Sequence, residues 1–457
     1  MRRIGIIGAG IAGLTAAYHL RKHDVPVVVL EARDRPGGVI RTDRADGFQV
    51  EAGPNTLRST PFLHRLVQDL SLESERVWAD DRSARRYVVR NEEPVQLPTS
   101  LRDFVTTDLL STSAKVRLLA EPFVGARTDA DGPAEESLAA FTRRRLGPEV
   151  LDYAVAPFVG GVYAGDPEQL SARHSFERLV EWEQEYGSLF WGALRSGTGD
   201  GADAEVPSGL FSFEDGLCTL PRALADALGD AIEYGTTVTA LRSHDDGWEI
   251  KADTADGPAA YEVDGLISTV PLPALGRLSL VTDVDRAPLD DVDYPPVQVV
   301  ALGYERSAVE HPLDGFGMLV PPVETTFDVL GTLFSSSLFP GRAPDGHVLL
   351  TTFVGGARNP ELARRDDAEI QSIVERDLGR LLGVTGPPVF SRHVHWPRAI
   401  PQYTRGYGRV KETLDALEAR HPSLAFAGNY RNGVAVGDAA ASGRAAAERL
   451  LETGIPA

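Results

Sequence analysis

Cysteine is nearly absent. The single Cys218 excludes an intramolecular disulfide and any cysteine-built metal cluster, and it fits a reducing cytoplasm. Lysine is almost as scarce, confined to Lys22, Lys115, Lys251 and Lys411, so arginine carries nearly all of the positive charge. That charge is itself in deficit: 46 Lys and Arg against 66 Asp and Glu give a net −20. A field of that sign argues against binding nucleic acid or anionic lipid by bulk electrostatics, and any anionic ligand must be met by a local cluster of arginines. No apolar run reaches the roughly eighteen residues of a spanning helix, though attachment to a membrane surface stays open. The histidines lack metal-ligand spacing, since His393 and His395 would share one strand face with no third ligand. The start, Met1-Arg2-Arg3-Ile4-Gly5, enters a strand at once and is expected to carry no signal peptide.

What is present is an ordinary globular composition, 42% hydrophobic and 25% charged, over 457 residues. That length exceeds what one core usually organises, so about two or three lobes are expected. Ile4, Ile6 and Ile7 form a short buried strand, residues 11–23 have helical spacing, and Val27–Leu30 is a continuous apolar run of the kind found in covered parallel strands. Residues 62–72 read as a helix and 83–98 as a hairpin. From about 100 to 195 helical patterns prevail, with breaks at Gly125, Gly147-Pro148, Gly160-Gly161 and Gly165. Residues 196–209 read as a loop. A second βαβ-like stretch is expected from a helix at Leu220–Leu228 and strands at Thr236–Leu241, Trp248–Ala252 and Leu266–Val270. Residues 290–355 are strand-rich with turns at Gly315, Gly331 and Gly341. Asp366–Leu382 reads as a helix, Leu424–Gly428 as a strand, and 437–453 as a terminal helix.

The chemistry-bearing pattern lies at the first turn. Gly8-Ala9-Gly10-Ile11-Ala12-Gly13 follows a strand and opens a helix. In such a motif the first glycine makes the tight turn, the second lets the backbone approach a pyrophosphate, and the third lets helix and strand pack closely. The helix start then offers unpaired N–H groups to the phosphates. Glu31, ending the second strand, is placed to accept ribose hydroxyls of an adenosine, the alternative being a solvent-facing carboxylate. A second glycine-rich turn follows directly: Ala32 and Arg33, then Gly37-Gly38-Val39, then Gly53-Pro54-Asn55-Thr56. Near the other end, Gly428-Asn429-Tyr430 precedes Gly433-Val434-Ala435-Val436-Gly437-Asp438 and a helix, whose start would stabilise negative charge on a reduced flavin. Glycine clusters at both ends of the chain favour an extended FAD over NAD, bound non-covalently because no cysteine lies near the flavin end.

These segments resemble the glutathione-reductase-like FAD superfamily. The run from Pro157 through Gly160-Gly161-Val162-Tyr163-Ala164-Gly165-Asp166 to Ser171, the run from Gly331 through Phe339-Pro340-Gly341-Arg342 to Pro344, and the Gly428–Asp438 segment are similar to those of oxygen-dependent porphyrinogen oxidases. The resemblance spans nearly the whole chain. It implies an α/β fold: a Rossmann-like FAD-binding domain (1–79, 206–270 and 410–457), a helical domain (80–205) that attaches to membranes in some members, and an α+β substrate-binding domain (271–409). The implied reaction belongs to heme biosynthesis: a porphyrinogen loses six electrons to three O2, giving a porphyrin and hydrogen peroxide. A methylene-bridge carbon gives hydride to the flavin, so positioning outweighs acid–base work. Coproporphyrinogen III is the expected substrate and protoporphyrinogen IX the alternative. A chelatase acting on the product is the implied partner, and the protein is expected to be a monomer or homodimer in the cytoplasm or at the membrane periphery.

The resemblance also carries residue roles, each beside a plainer reading. Gly161 would face the macrocycle through its carbonyl, or be a turn glycine. Asn55 would lie near the flavin edge, or cap a turn. Leu319 and Phe339 would sandwich the tetrapyrrole, or pack a core. Arg86 would pair with a propionate, or be solvated; Arg58, Arg85 and Arg90 are further candidate cations. Val238 would touch the adenine and Trp396 the flavin. Arg143-Arg144-Arg145 reads as a solvated helix face, and Cys218 as a small buried residue. Two rival activities remain on the same fold. An amine oxidase or desaturase is disfavoured because no lysine lies between Lys251 and Lys411, and a sugar-nucleotide mutase because it would not need the porphyrinogen-like segments. A cofactor-binding protein without chemistry is the third alternative.

Overall fold

A computed structural model describes residues 3–127, 135–196, 207–244 and 247–452. The first strand, β1 (Ile4–Ile7), helix α1 (Ile11–Lys22) and β2 (Val27–Leu30) form the expected βαβ unit, with both strands wholly buried. Three distant segments complete its parallel sheet. Short β8 (Ile232–Glu233) lies beside β2, and β9 (Gly265–Ser268) and β15 (Leu424–Phe426) lie beyond β1, giving the order β8-β2-β1-β9-β15. On one face of the sheet α1 packs against the last helix, α5 (Val436–Glu452), at very close range. A Cβ on Gly443 would overlap the backbone of Ala12, so the small stripe Ala439, Ala440, Gly443, Ala446 and Ala447 is what lets the two helices meet.

The second sheet has seven strands. Its order is β14 (Phe390–Trp396), β10 (Val297–Glu305), β13 (His347–Gly355), β12 (Val329–Phe334), β11 (Gly317–Leu319), β5 (Tyr87–Arg90) and β6 (Glu93–Gln96). One face buries Tyr87, Val300, Leu302, Met318, Phe334 and Leu350 beneath helix α4 (Asp367–Leu382). That helix starts where the sequence places it, with Asp366 accepting from the Glu369 N–H at 2.9 Å as its N-cap. The other face turns toward the first sheet and is partly covered by the hairpin β3 (Thr42–Ala45) and β4 (Phe48–Glu51), through Phe48, Val50 and Ala52.

Several expectations need correction. The stretch 236–263 is not part of a βαβ unit: Thr237–His244, Gly247–Thr254 and Gly257–Val263 form an antiparallel meander in a separate sheet, and only β8 and β9 join the parallel one. The hairpin at 83–98 forms, at Tyr87–Gln96, but it extends the seven-stranded sheet although it falls in the segment expected to be helical. Gly331 is not a turn residue; it sits inside β12 at a register shift. Gly160 and Gly161 lie within helix α3 (Ala156–Tyr163). In both places glycine marks a close approach rather than a break. The loop expected at 196–209 falls mostly outside the described residues.

Arg143, Arg144 and Arg145 also differ from expectation. On α2 (Leu138–Arg145), Arg143 is exposed and paired with Glu168, whereas Arg144 holds both Glu136 and Glu183, and Arg145 is fully buried against Glu121. A helical run of three like charges presents three different directions, and two of these point inward. Elsewhere in the helical segment Leu101, Val105, Val116, Leu119, Phe123 and Phe190 stand exposed. Among the described residues no helix is long and apolar enough to cross a membrane.

Candidate cofactor and substrate site

Three glycine-rich segments stack on one another at the carboxyl end of β1. Gly8 takes φ +99°, a conformation that a side chain would resist, to turn the chain out of the strand. A Cβ at Gly13 would overlap the Gly8 carbonyl, so this glycine is fixed by helix–strand packing. Gly10 is different: a Cβ there would meet nothing within 4 Å, so its backbone borders open space. Gly37 donates its N–H to the Ala9 carbonyl at 2.8 Å, and Gly38 lies against Gly10. A Cβ at Gly53 would overlap the Val39 carbonyl, which places Gly53 and Pro54 over the second turn. Arg33 and Arg35 both donate to the Gly38 carbonyl, at 2.9 Å each, and hold that turn closed.

Glu31 is buried. Its carboxylate accepts the Ala9 N–H at 2.6 Å and the Arg33 N–H at 3.0 Å, one on each oxygen, which leaves a lone pair on both for ribose hydroxyls. Backbone bonds from Glu31 to Glu233, Gly235 to Arg33 and Thr236 to Glu31 clip this strand end to the segment leading into Val238, so the two ends of the expected adenosine site meet. Ala32 is exposed beside them. These residues fit a dinucleotide: donors at a helix start, a carboxylate with free acceptor capacity, and a backbone edge at Gly10 that only glycine leaves open.

At the far end, Gly428 is bound by Ser442, whose hydroxyl accepts its N–H at 2.8 Å. Helix α5 opens with a capping arrangement in which Asp438 accepts the Ala435 N–H at 3.3 Å. Burial pushes the Asp438 carboxyl above its usual range. Val434 and Val436 are half-buried and Ala435 exposed. Asn55 donates to the Gly53 carbonyl at 3.0 Å, the turn-capping contact of its plainer reading. Thr56 follows it, half-buried. Trp396 donates its indole N–H to the Ala52 carbonyl at 2.7 Å and packs beside Val299 and Val394.

A row of apolar residues that includes Leu319, one of those expected to meet substrate, crosses the second sheet. Val88, Leu319, Gly331, Phe353, Val299 and Val394 align across successive strands by register. On this row Leu319 and Phe353 stay partly exposed, as does Leu333 two residues from Gly331, while most strand neighbours are buried. Helix α3 lies over the row at Gly161, where a Cβ would overlap Leu319 Cδ2. Two residues on, burial and the Asp438 carboxylate both raise the Tyr163 hydroxyl above the ordinary phenol range, so the end of α3 lies near the start of α5. The structure thus brings Gly161 onto Leu319 and the end of α3 near the α5 turn, while Trp396 lies on the edge strand β14, four strands from Leu319. Phe339 is not brought to Leu319: its ring is 3% exposed and lies under the Arg342 guanidinium, 5.4 Å away, on the junction with β7 (Leu210–Phe213). Sequence reasoning missed Leu333 and Phe353. Their signal was the period-two alternation around Gly331 and through Thr351-Thr352-Phe353.

Of the candidate cations, Arg85 is bound to Asp314, and Arg90 to Glu149 and the Leu109 carbonyl. Arg86 is exposed, 5.5 Å from the Phe316 ring, and has no carboxylate partner among the described residues; Arg58 also has none. Arg358, not anticipated, is half-buried and donates to the Val320 carbonyl at 3.3 Å, next to Leu319. The Gly161 packing yields a direct expectation. Gly161→Ala should lower turnover about tenfold or more with the flavin still bound, and Leu319→Ala should restore part of it by vacating the clash. Unchanged turnover in Gly161→Ala would show that α3 has room to shift.

A parallel sheet with a dinucleotide turn, joined to a second, mostly antiparallel sheet, defines a flavin-dependent oxidoreductase. The chain belongs to the flavin containing amine oxidoreductase family, which matches residues 11–451. Within it the similarity is to porphyrinogen oxidases. Protoporphyrinogen oxidase 2 of Arabidopsis thaliana is 36% identical, over 98% of this chain and 94% of its own. Coproporphyrinogen III oxidase of Bacillus subtilis is 29% identical, over 98% of both chains. A crystal structure from Exiguobacterium sp. 255-15, provisionally assigned as a protoporphyrinogen oxidase, superposes with a TM-score of 0.81 at 26% identity, covering 99% of both chains.

Proposed function

We propose that the protein oxidises coproporphyrinogen III to coproporphyrin III, a six-electron conversion with three O2 as acceptors and three hydrogen peroxide molecules as by-products. Bound FAD, held without a covalent link, would supply the two-electron acceptor chemistry at each round. The protein's own share is placement. Leu319, Leu333 and Phe353 offer a flat apolar face for the macrocycle, and the Gly161 backbone borders it from α3. No titrating side chain is needed beside the reacting carbon, because the pyrroles already favour loss of the hydride.

The observation that carries this reading is the close approach of Gly161 to Leu319 over the open row of the seven-stranded sheet. Arg86, Arg58 and Arg358, none of them held by a carboxylate ion pair among the described residues, favour the substrate with four carboxylates. The greater identity to the Arabidopsis protein favours protoporphyrinogen IX as a second reading. Porphyrin fluorescence with each substrate in turn separates them: kcat/KM should be higher for coproporphyrinogen III. Arg86→Ala should raise KM for that substrate roughly tenfold with little change in kcat, because a remote carboxylate contact is uniform binding. A higher kcat/KM for protoporphyrinogen IX would overturn the substrate and leave the oxidase assignment standing.

A further inference from the structure

Residues 402 and 403 belong to neither glycine motif, yet they join the two halves of the site. Gln402 is 3% exposed and donates from Nε2 to the Tyr163 carbonyl at 2.9 Å, at the end of the helix that carries Gly161. Tyr403 is also buried. Its hydroxyl donates to the Asn429 carbonyl and accepts the Gly433 N–H at 3.1 Å, so one oxygen spans the turn that opens into α5. Gly433 takes φ +142° there, where a side chain would overlap Asp438. The Tyr403 carbonyl accepts the Ser171 N–H at 2.8 Å, which anchors the segment to the helix after α3. The Tyr403 ring stacks on Tyr407 at 4.3 Å. Burial raises the Tyr403 hydroxyl well above the ordinary phenol range, so it remains a neutral donor at any working pH.

We propose that Tyr403 is a positioning residue for the flavin, its hydroxyl fixing the Asn429–Gly433 turn, while Gln402 ties the same segment to the Gly161 helix. One dipeptide then sets the spacing between the substrate face and the flavin-facing helix start. Loosening the turn would move the α5 N–H groups and weaken their stabilisation of negative charge on the reduced cofactor. The inference rests on the reading that the Gly433–Val436 turn borders the flavin.

The test is Tyr403→Phe, which keeps the ring and its stack, read on the purified flavoprotein by FAD dissociation and by the flavin midpoint potential. We expect about tenfold weaker FAD binding and a tenfold smaller preference for the reduced form, a fall of about 30 mV for a two-electron couple. Tyr294→Phe is the control: its hydroxyl accepts the Leu272 N–H at 3.4 Å in the same core and makes no hydrogen bond to the Asn429–Gly433 turn, so potential and affinity should stay at the wild-type values. Amide exchange should accelerate at 433–436 in Tyr403→Phe and not across the parallel sheet, which separates a loosened turn from general unfolding. A wild-type protein without flavin would overturn the cofactor reading and this inference together. Normal flavin content in the wild type, with unshifted potential and affinity in Tyr403→Phe, would overturn this inference alone, as would equal shifts in Tyr294→Phe.

Discussion

Gly10→Val should purify folded and colourless, with FAD content at least about tenfold below wild type. The expectation follows from a contrast between two glycines three residues apart. A side chain at Gly10 meets no protein atom within 4 Å, so nothing in the fold resists it; what it fills is the space along the backbone that a pyrophosphate would approach. A side chain at Gly13 overlaps the Gly8 carbonyl and must push helix α1 from the strand. Gly13→Val should therefore lose the fold along with the cofactor, at a cost of several kcal/mol typical of overpacking, about 1–3 or more. Flavin absorbance and thermal unfolding of the two variants check both halves. Full FAD content in Gly10→Val would remove the pyrophosphate from this turn.

A large loss of stability is also expected away from the cofactor, at Arg145. Its guanidinium is fully buried with Glu121, which is 2% exposed, and also donates to the Val124 and Gly187 carbonyls at 2.7 and 2.8 Å. Removing one member strands the other charge, and single substitutions of buried pairs cost about 3–5 kcal/mol. Glu121→Gln and Arg145→Met should each approach that figure in denaturant unfolding, while Arg145→Met with Glu121→Leu should recover most of it. A single-variant loss below about 1 kcal/mol would mean that water reaches the pair. Burial by itself would raise the Glu121 carboxyl, but the Ser188 hydroxyl, the Leu189 and Phe190 N–H groups and Arg145 outweigh it and hold the group below the usual carboxylate range. The sign follows: a depressed folded pKa stabilises fully above the unfolded value and is lost as pH falls through the folded one. The helical segment should thus weaken below about pH 4, and Glu121→Gln should flatten that dependence.

Legibility in the sequence tracked the range of the interactions. The βαβ unit was readable because strand, Gly8–Gly13 turn, helix and Glu31 lie within one local pattern, and α4 because Asp366 announces its own cap. Glycines were readable as special but not as to why. Gly161 and Gly331 look like breaks along the chain, whereas Gly161 is made necessary by the Leu319 side chain and Gly331 by the Met318 carbonyl, both arriving from β11. Phe339 and Phe353 are indistinguishable by type; only the register of β12 against β13 puts the second on the open row. Charge was the least legible property. Arg145 is buried because Glu121 and Glu183 come to it from elsewhere, and no feature of Arg143-Arg144-Arg145 alone reports that. Tyr403 was invisible for the same reason, its partners being Asn429 and Gly433.

The close contact of α5 with α1 sets an order of events during synthesis. The sheet that opens at Ile4 receives β9 only after residue 265 and β15 only after residue 424, and the Gly443–Ala12 contact comes later still. At ribosomal rates of about 5–20 residues per second, the N-terminal βαβ unit waits on the order of half a minute or more for its remaining strands. Through that interval β1 and α1 lack the partners that bury them, and the turn meant for the cofactor has no far wall. The unit that is written first is completed last. Nascent chains should therefore need chaperone cover over Ile4–Leu30, and flavin can be captured at full affinity only once residues 424–452 have emerged.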